Sequence, residues 1–222
     1  MDGHFLSRRL IMHRSLQCLA IATGAAGLLP VAGWARPISY PGGTAVMVGR
    51  DAMSDMLHAD YTINKDWAVG WASTRDRDVD VDSHGPQVTR GWRWNYPDSQ
   101  ANLYLNGGAG SAFVDGHARP SAWGGASIDW EDRRWYAQAG TSGQVVADGP
   151  DRLSQSARLG VAPYVAEAGQ LHSWLMLQVD RSPSSERTWT LTPLLRQFYG
   201  DYLWEAGVST RGDVLLNLTK TF

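Results

Sequence analysis

The last ten residues of the chain, 213–222, read DVLLNLTKTF. Val214, Leu216 and Leu218 fall at every second position of this stretch, and the polar residue Asn217 falls between two of them. Successive side chains of a β-strand point to opposite faces, so a period of two predicts a strand with one apolar face. The end of the chain is therefore predicted to be a half-buried strand.

The same period of two recurs along the chain after residue 36. It predicts twelve strands, near residues 44–50, 53–63, 66–75, 86–96, 99–113, 121–130, 133–142, 153–165, 172–181, 187–197, 200–210 and 213–222. Most have the length of about ten residues that a tilted strand needs to cross a bilayer. An even number of antiparallel strands closes into a barrel with both ends of the chain on one side. The predicted fold class is therefore all-β, a single antiparallel transmembrane β-barrel of about 12 strands.

The predicted connections differ in length. Those after even-numbered strands are short, at residues 64–65, 96–98, 131–132, 166–170 and 199–200. The three longest follow odd-numbered strands, at residues 76–85, 115–120 and 143–152. Outer-membrane barrels have short periplasmic turns and longer extracellular loops. The pattern therefore predicts that the connections after even-numbered strands face the periplasm.

Aromatic residues are concentrated beside the short predicted turns. Because amphipathic rings collect at the membrane–water interface, they predict an aromatic girdle at that end of the barrel. Its members are Trp67, Trp94, Tyr96, Trp130, Trp135, Tyr202 and Phe222.

The first 35 residues have the features of a secretory signal peptide. A basic start is followed by an apolar stretch over residues 16–31, and small residues surround Ala35, where we expect cleavage. A membrane-anchor helix is the alternative, although glycines and Pro30 interrupt the apolar stretch. The predicted organisation is therefore a signal peptide at residues 1–35 and an outer-membrane barrel at residues 36–222.

Composition excludes several classes of protein. The 222 residues carry a formal net charge of −2, which argues against a nucleic-acid-binding protein. The hydrophobic share of 43% is that of a folded chain and excludes wholesale disorder. The single cysteine, Cys18, lies inside the predicted signal peptide, so the exported chain could form no disulfide and use no catalytic thiolate.

The C-terminal end resembles the signature that the assembly machinery of bacterial outer-membrane barrels recognises. Phe222 ends the chain, after apolar residues at alternate positions. Lys220 departs from the signature, which usually has an apolar or aromatic residue at that position. The resemblance implies a barrel in the outer membrane of a Gram-negative bacterium, in contact with membrane lipid and lipopolysaccharide and inserted by the barrel-assembly machinery through Phe222.

Several stretches also resemble a group of proteobacterial outer-membrane proteins associated with copper and heavy-metal resistance gene clusters. They cover much of the predicted barrel: SYPGG at 39–43, RWN at 93–95, SQANLYL at 99–105, DWEDRR at 129–134, SAR at 156–158, WLMLQVD at 174–180, EAGV at 205–208 and RGDV at 211–214. No activity is established for the group. The resemblance implies an outer-membrane barrel connected with metal resistance.

The strand pattern also predicts which charged residues face the lumen. This set contains four acids and four arginines: Asp60, Arg93, Asp129, Arg134, Arg158, Asp180, Arg196 and Glu205. Buried charges must be paired, so one interpretation is an ion-pair network that maintains the shape of the barrel. The other is a narrow aqueous pore whose charges set selectivity.

The first predicted hairpin offers a metal site. A turn at residues 51–52 would place Met47 opposite Met56, with His58 on the same face. Thioether and imidazole ligands suit copper, so a bound copper ion is possible, although ordinary packing in a narrow barrel is the simpler interpretation. Alternating aspartates at residues 76–82 could bind a divalent cation or meet lipopolysaccharide-bound ions, but an acid-rich solvated loop is the better interpretation.

The sequence thus predicts a small channel, or a passive structural or binding barrel, with a possible link to copper resistance. Two alternatives belong to other classes. A barrel-embedded, lipid-modifying hydrolase would need a histidine and a serine on one face, but His172 and Ser173 are neighbours in a strand and face opposite ways. We therefore predict no enzymatic activity. A secreted soluble β-sandwich that binds a ligand would also show alternation.

Overall fold

The computed structural model describes residues 38–166, 170–183 and 189–222. The predicted signal peptide and Cys18 lie outside the described residues. Within the described ranges there is no helix long and apolar enough to cross a membrane.

The described residues form twelve strands. They are β1 (Thr44–Arg50), β2 (Ser54–Asn64), β3 (Trp67–Asp76), β4 (Val81–Asn95), β5 (Ser99–Val114), β6 (His117–Asp132), β7 (Trp135–Val146), β8 (Arg152–Val161), β9 (His172–Arg181), β10 (Trp189–Tyr199), β11 (Tyr202–Val208) and β12 (Val214–Thr221).

Each strand pairs antiparallel with its neighbours in the sequence, and β1 pairs with β12 to close the sheet into a barrel. The prediction of an all-β, twelve-stranded antiparallel barrel is confirmed. The β-sandwich alternative is wrong, because one sheet closes on itself instead of packing against a second one.

Burial alternates along the strands, with the polar side chains inside. In β9, Met176 and Gln178 are almost completely buried, whereas Leu175 and Leu177, at the alternate positions, are 55% and 45% exposed. The outer surface of the barrel is therefore apolar and the lumen largely polar. This is the reverse of a soluble protein and is the arrangement that a lipid environment favours.

The two ends of the barrel are distinguished by the chain itself. Residues 38–43 and Phe222 lie at one end, where the backbones of Thr44 and Phe222 exchange two hydrogen bonds. We call this the terminal end and the other the distal end. The aromatic residues predicted to form a girdle lie at the terminal end, and all seven are at least 38% exposed.

The predicted asymmetry of the connections is only partly right. Four of the five connections at the terminal end have two or three residues, and the fifth contradicts the prediction. The longest connection, residues 162–171, follows β8 and lies at the terminal end, where only short turns were expected. Conversely, the longest predicted loop, residues 76–85, shrinks to residues 77–80, because the alternating pattern of β4 already begins at Val81. The turn between β5 and β6 has two residues for the same reason.

The strands β4 and β5 approach closely around Gly85 and Gly110, a place that we call the corner. Backbone pairing between these strands is interrupted at Gly85 and Pro86, since proline has no N–H to donate. The chains approach so closely that a Cβ atom on Gly110 would lie 2.1 Å from the carbonyl oxygen of His84. Glycine at this position is therefore required by the backbone of the neighbouring strand.

Candidate functional site in the lumen

Two rows of inward-facing residues follow the hydrogen-bonding direction of the sheet around the inside of the barrel. The first, which we call the Glu205 row, consists of Trp174, Arg196, Glu205, Asn217, Gly49 and Met56, on β9 to β12, β1 and β2. The second, the Arg158 row, consists of Arg93, Asn102, Asp129, Gln138, Arg158, Gln178 and Thr192, on β4 to β10.

Glu205 is the centre of the first row. Its Oε1 accepts hydrogen bonds from Arg196 Nε at 2.6 Å and from Arg158 Nη1 at 2.7 Å. Its Oε2 accepts a hydrogen bond from Asn217 Nδ2 at 2.7 Å. The side chains of Glu205 and Arg158 are each 1% exposed. Three donors, two of them cationic, compensate this carboxylate for the loss of water.

Arg158 joins the two rows. Besides its bond to Glu205, its Nε donates to Gln178 Oε1 at 3.0 Å, and Nη2 donates to the same oxygen. The amide nitrogen of Gln178 in turn donates to Asp180 at 2.8 and 2.9 Å. A continuous buried chain of polar groups therefore runs from Asp180 through Gln178 and Arg158 to Glu205.

An apolar cluster packs against this network, largely between the Glu205 row and the Arg158 row. It contains Tyr136, Ala162, Trp174, Met176, Leu194 and Leu215. The guanidinium of Arg196 lies 4.5 Å from the centre of the Tyr136 ring, which packs edge-on against Trp174. Cation–π contact and packing hold Arg196 in the orientation that presents Nε to Glu205.

The opposite wall of the lumen, on β2 to β6, has a different character. Asn102 Nδ2 donates to Asp129 Oδ1 at 2.7 Å, and Asn102 Oδ1 accepts from Arg93 Nε at 3.1 Å. Asp60, only 1% exposed, accepts a hydrogen bond of 2.9 Å from Gln87 Nε2. Much of the remaining wall consists of small side chains: Ala68, Gly70, Ala72, Gly85, Gly91, Gly108 and Gly110.

At the distal end, an ion pair crosses the lumen. Arg152 at the start of β8 binds the carboxylate of Asp76 at the end of β3, and both side chains are largely buried. An apolar cluster of Val81, Ala112, Val114 and Val146 packs near this end. The ion pair and this cluster place buried side chains inside the distal end of the lumen.

Most of the charged residues predicted for the lumen lie in it. Six of the eight are at most 7% exposed: Asp60, Asp129, Arg158, Asp180, Arg196 and Glu205. Arg93 is on the inner face but exposed at the terminal rim. Arg134 is a correction: it lies exposed in the turn between β6 and β7, because β6 continues to Asp132 and β7 begins only at Trp135.

Met47, Met56 and His58, the candidate copper ligands, all face inward, but their predicted register is wrong. Met47 pairs with His58, and Met56 pairs with Gly49. The turn is longer than two residues because Asp51 Oδ1 accepts hydrogen bonds from the backbone of Met53 and Ser54. Two added residues shift the register without changing which faces are inward.

The described residues contain no cluster of the side chains that most often bind metal ions in proteins. Among the described residues, no three histidine, cysteine, aspartate or glutamate side chains gather closely enough to bind a metal ion. The aspartates of residues 76–82 separate: Asp76 binds Arg152, whereas Asp80 and Asp82 bind Arg75 on the outside of the barrel. Copper binding by the first hairpin stays a prediction.

Sequence reasoning missed the amides of the lumen. Gln87, Asn102, Gln178 and Asn217 each bond directly to a buried carboxylate. All four stand at inward positions of the alternating pattern, so the same parity that selected the charged residues could have selected them. Their partners could not be identified, because the rows depend on the register between strands.

Comparison with known proteins adds a general likeness only. No protein-family model matches the chain, and no match was found among curated proteins. Among solved structures, the KdgM porin is 6% identical with a TM-score of 0.45, covering 81% of this chain and 98% of its own. Pseudomonas aeruginosa OccK8 (OprE) is 9% identical with a TM-score of 0.42, covering 76% of this chain. This chain spans 57% of the length of OccK8. A bacterial polysaccharide outer-membrane secretin is 8% identical, with a TM-score of 0.38, and covers 83% of this chain and 99% of its own.

Proposed function

We propose that this protein is a channel-type barrel of the bacterial outer membrane, whose polar lumen is the path for small solutes and whose Glu205 network is the constriction. The proposed function does not include an enzymatic activity. The observation that carries it is the buried chain of polar groups from Asp180 to Glu205, which faces the barrel axis.

The outer surface supports the location in a membrane. Large apolar side chains such as Leu159, Leu175 and Leu216 are 51–66% exposed on the outside of adjoining or nearby strands. Such a surface is stable only against lipid or another apolar partner. Together with the predicted export signal, it favours the outer membrane of a Gram-negative bacterium.

Basic side chains packed on aromatic rings support the assignment of the terminal end to one surface of the membrane. Arg90 lies over Trp67 and Trp92, at 4.8 and 5.0 Å from the ring centres. Lys220 lies 4.0 Å from the ring of Tyr202 and 5.3 Å from that of Phe222. Basic and aromatic side chains together are typical of the membrane–water interface, which we place here on the periplasmic side. Phe222 remains the expected contact for the barrel-assembly machinery.

The lumen supports transport rather than a purely structural role. A barrel that needed only rigidity would be more simply filled with apolar side chains, since replacing a buried ion pair by apolar residues often leaves stability unchanged or improves it. Here every carboxylate oxygen of Glu205 has a donor that a passing polar solute could replace. Conduction then requires these side chains to move, because they are buried in this conformation.

Single-channel recording in a planar bilayer tests the proposal. We expect conductance steps from the folded wild-type barrel. Replacing Glu205 by glutamine leaves Arg158 and Arg196 without their counter-charge, so the reversal potential in a KCl gradient shifts toward anion permeation. Asp201→Asn removes an exposed charge from the neighbouring turn and is the matched control. Equal shifts in both variants, or no conductance from the folded barrel in any form tested, would contradict the proposal.

A link to metal resistance is a second proposal. It is favoured by the pairing of Met47 with His58, each 1% exposed, which places a thioether and an imidazole side by side on the lumen wall. Copper retained by the purified barrel, measured by atomic absorption and lost on Met47→Leu, tests it.

A further inference from the structure

The residues that precede β1 fold back into the barrel instead of leaving it. Tyr40 and Gly43 close a tight turn through a 2.9 Å bond from Gly43 N to Tyr40 O. Pro41 and Gly42 occupy its two central positions, and Gly42 has a φ of 86°. Proline followed by glycine with positive φ is the requirement of a type II turn. This turn reverses the chain, and we call residues 38–43 the hook.

Ile38, at the start of the hook, packs into a space on the inner face of β3 to β5 that we call its seat. Ile38 is 3% exposed and packs against Ala68 and Tyr104. A Cβ atom on Gly91 would lie 2.7 Å from Ile38 Cδ1, so the absence of a side chain at Gly91 makes the room that Ile38 occupies. Any larger residue at position 91 would force the Ile38 side chain to shift.

One residue of β2 holds the hook in place. Thr62 Oγ1 accepts a 3.0 Å bond from the backbone nitrogen of Ser39, and the two hydroxyls are also 3.0 Å apart. The backbone of Thr62 exchanges further bonds with Gly42 and Gly43. Thr62 is fully buried, so the hook covers a polar group that would otherwise face the lumen.

The hook can leave without opening the barrel. β1 pairs with β2 from Thr44 and with β12 from Ala45 onward, so neither ladder depends on residues 38–41. The glycines at positions 42 and 43 provide a backbone able to adopt other conformations. The distal ion pair and the Glu205 network, by contrast, connect strands of the wall itself.

We propose that the hook is a stopper for the terminal mouth of the lumen, with Ile38 closing the solute path until it leaves its seat. The inference rests on the proposed channel function and adds its gate. Closure is intramolecular, so it acts in every copy of the protein and needs no partner.

An engineered disulfide that holds the hook against β2 tests whether the hook acts as a stopper. In a Cys18→Ser background, Ser39→Cys and Thr62→Cys place two thiols where hydroxyls now lie 3.0 Å apart, close enough to form a disulfide with small shifts. In bilayer recordings we expect the oxidised protein to stay closed and the reduced protein to open. The variant with Ser39→Cys alone, under the same redox conditions, is the control and should not respond.

A second variant empties the seat without a crosslink. Ile38→Ala removes three buried carbons, each of which favours the closed state about fourfold if it behaves as a buried methylene. We therefore expect open probability to rise at least about tenfold. Val46→Ala, an equally simple truncation on the outward face of β1, should leave gating unchanged. Heat-modifiable migration on gels confirms that each variant is folded.

The outcomes separate the two proposals. If the wild-type barrel conducts and neither the disulfide nor Ile38→Ala changes gating, the stopper is wrong and the channel stands. If the folded protein is silent in every form, including Ile38→Ala and the reduced double-cysteine variant, both proposals are wrong.

Discussion

The two walls of the lumen keep the barrel's shape in opposite ways. On β8 to β11, long side chains fill the interior, and Arg158, Arg196 and Glu205 satisfy one another. On β3 to β5, many inner positions are glycine or alanine, and β4 and β5 lie so close that a Cβ on Gly110 would collide with backbone. One wall is held by charge-assisted contacts between side chains and the other by close contact of main chains.

The difference determines which kind of substitution destabilises each wall. A saturated ion network loses most when one member is removed, because its partners remain buried with unpaired charge. A wall whose main chains lie this close loses most when an atom is added, because the backbone cannot move aside. The same barrel should therefore respond to truncation on one side and to enlargement on the other.

The largest effect is expected at Glu205. Glu205→Leu leaves Arg158 and Arg196 buried without a carboxylate, and we expect a loss of about 3–5 kcal/mol in the free energy of unfolding. Urea unfolding in lipid vesicles, followed by tryptophan fluorescence, measures it. The triple variant Glu205→Leu, Arg158→Met, Arg196→Met should recover most of the loss, since no buried charge then remains in the group. A loss below about 1 kcal/mol for Glu205→Leu would contradict this account of the wall.

A smaller effect is expected from one methyl group at the corner. Gly110→Ala places a carbon 2.1 Å from the carbonyl oxygen of His84 and 2.9 Å from the Cα of Gly85. We expect a cost of about 1–3 kcal/mol and a smaller fraction of heat-modifiable barrel after refolding. The matched control is Gly107→Ala on the outer face of the same strand, where the nearest atom to the new carbon is 3.7 Å away. Equal losses in both variants would show that the corner is not sterically constrained.

The smallest change in the free energy of unfolding is expected at Asp60, where a substitution could even raise stability. Its partner Gln87 is a neutral amide, and Asp60 Oδ2 is buried without a hydrogen bond. Asp60→Asn removes a poorly compensated charge, so we expect stability to change by less than about 1 kcal/mol or to rise. The same isosteric exchange at Glu205, to glutamine, should cost about 1.5–3 kcal/mol because two charge-assisted bonds weaken. Parallel urea titrations of the two variants measure the contrast, and a larger loss at Asp60 would reverse it.

The strand pattern predicted much of this architecture for a simple physical reason. Side-chain direction alternates with every residue, so lumen membership follows from counting within one strand, as it did for Arg158 and Glu205. Counting fails at the ends of a strand, and Arg134 was misplaced because β7 begins one residue after it, at Trp135. The start of β4 was missed where polar residues around Asp82 continue the pattern.

Register is what the sequence did not determine. The Met47–His58 pairing depends on a side chain, Asp51, that lengthens a turn by accepting two backbone hydrogen bonds. The contact between Arg158 and Glu205 joins residues 47 positions apart on strands that are not neighbours. Such contacts depend on the tilt and closure of the whole sheet, which no single strand encodes.

The pairing of β1 with β12 has a consequence for how the molecule is made. These strands have 7 and 8 residues, whereas β5 and β6 have 16 each and are joined by a two-residue turn. Joining segments far apart in sequence is slower than zipping a local hairpin. The β1–β12 seam should therefore form last during assembly and be the first to separate under force. Asn217 lies across this seam above Gly49, where a Cβ would be 2.4 Å from its Oδ1. The β11–β12 hairpin places Asn217 beside Glu205, whereas its contact with Gly49 forms only when the seam is complete. A barrel that has not closed therefore leaves the Glu205 network uncovered on that side.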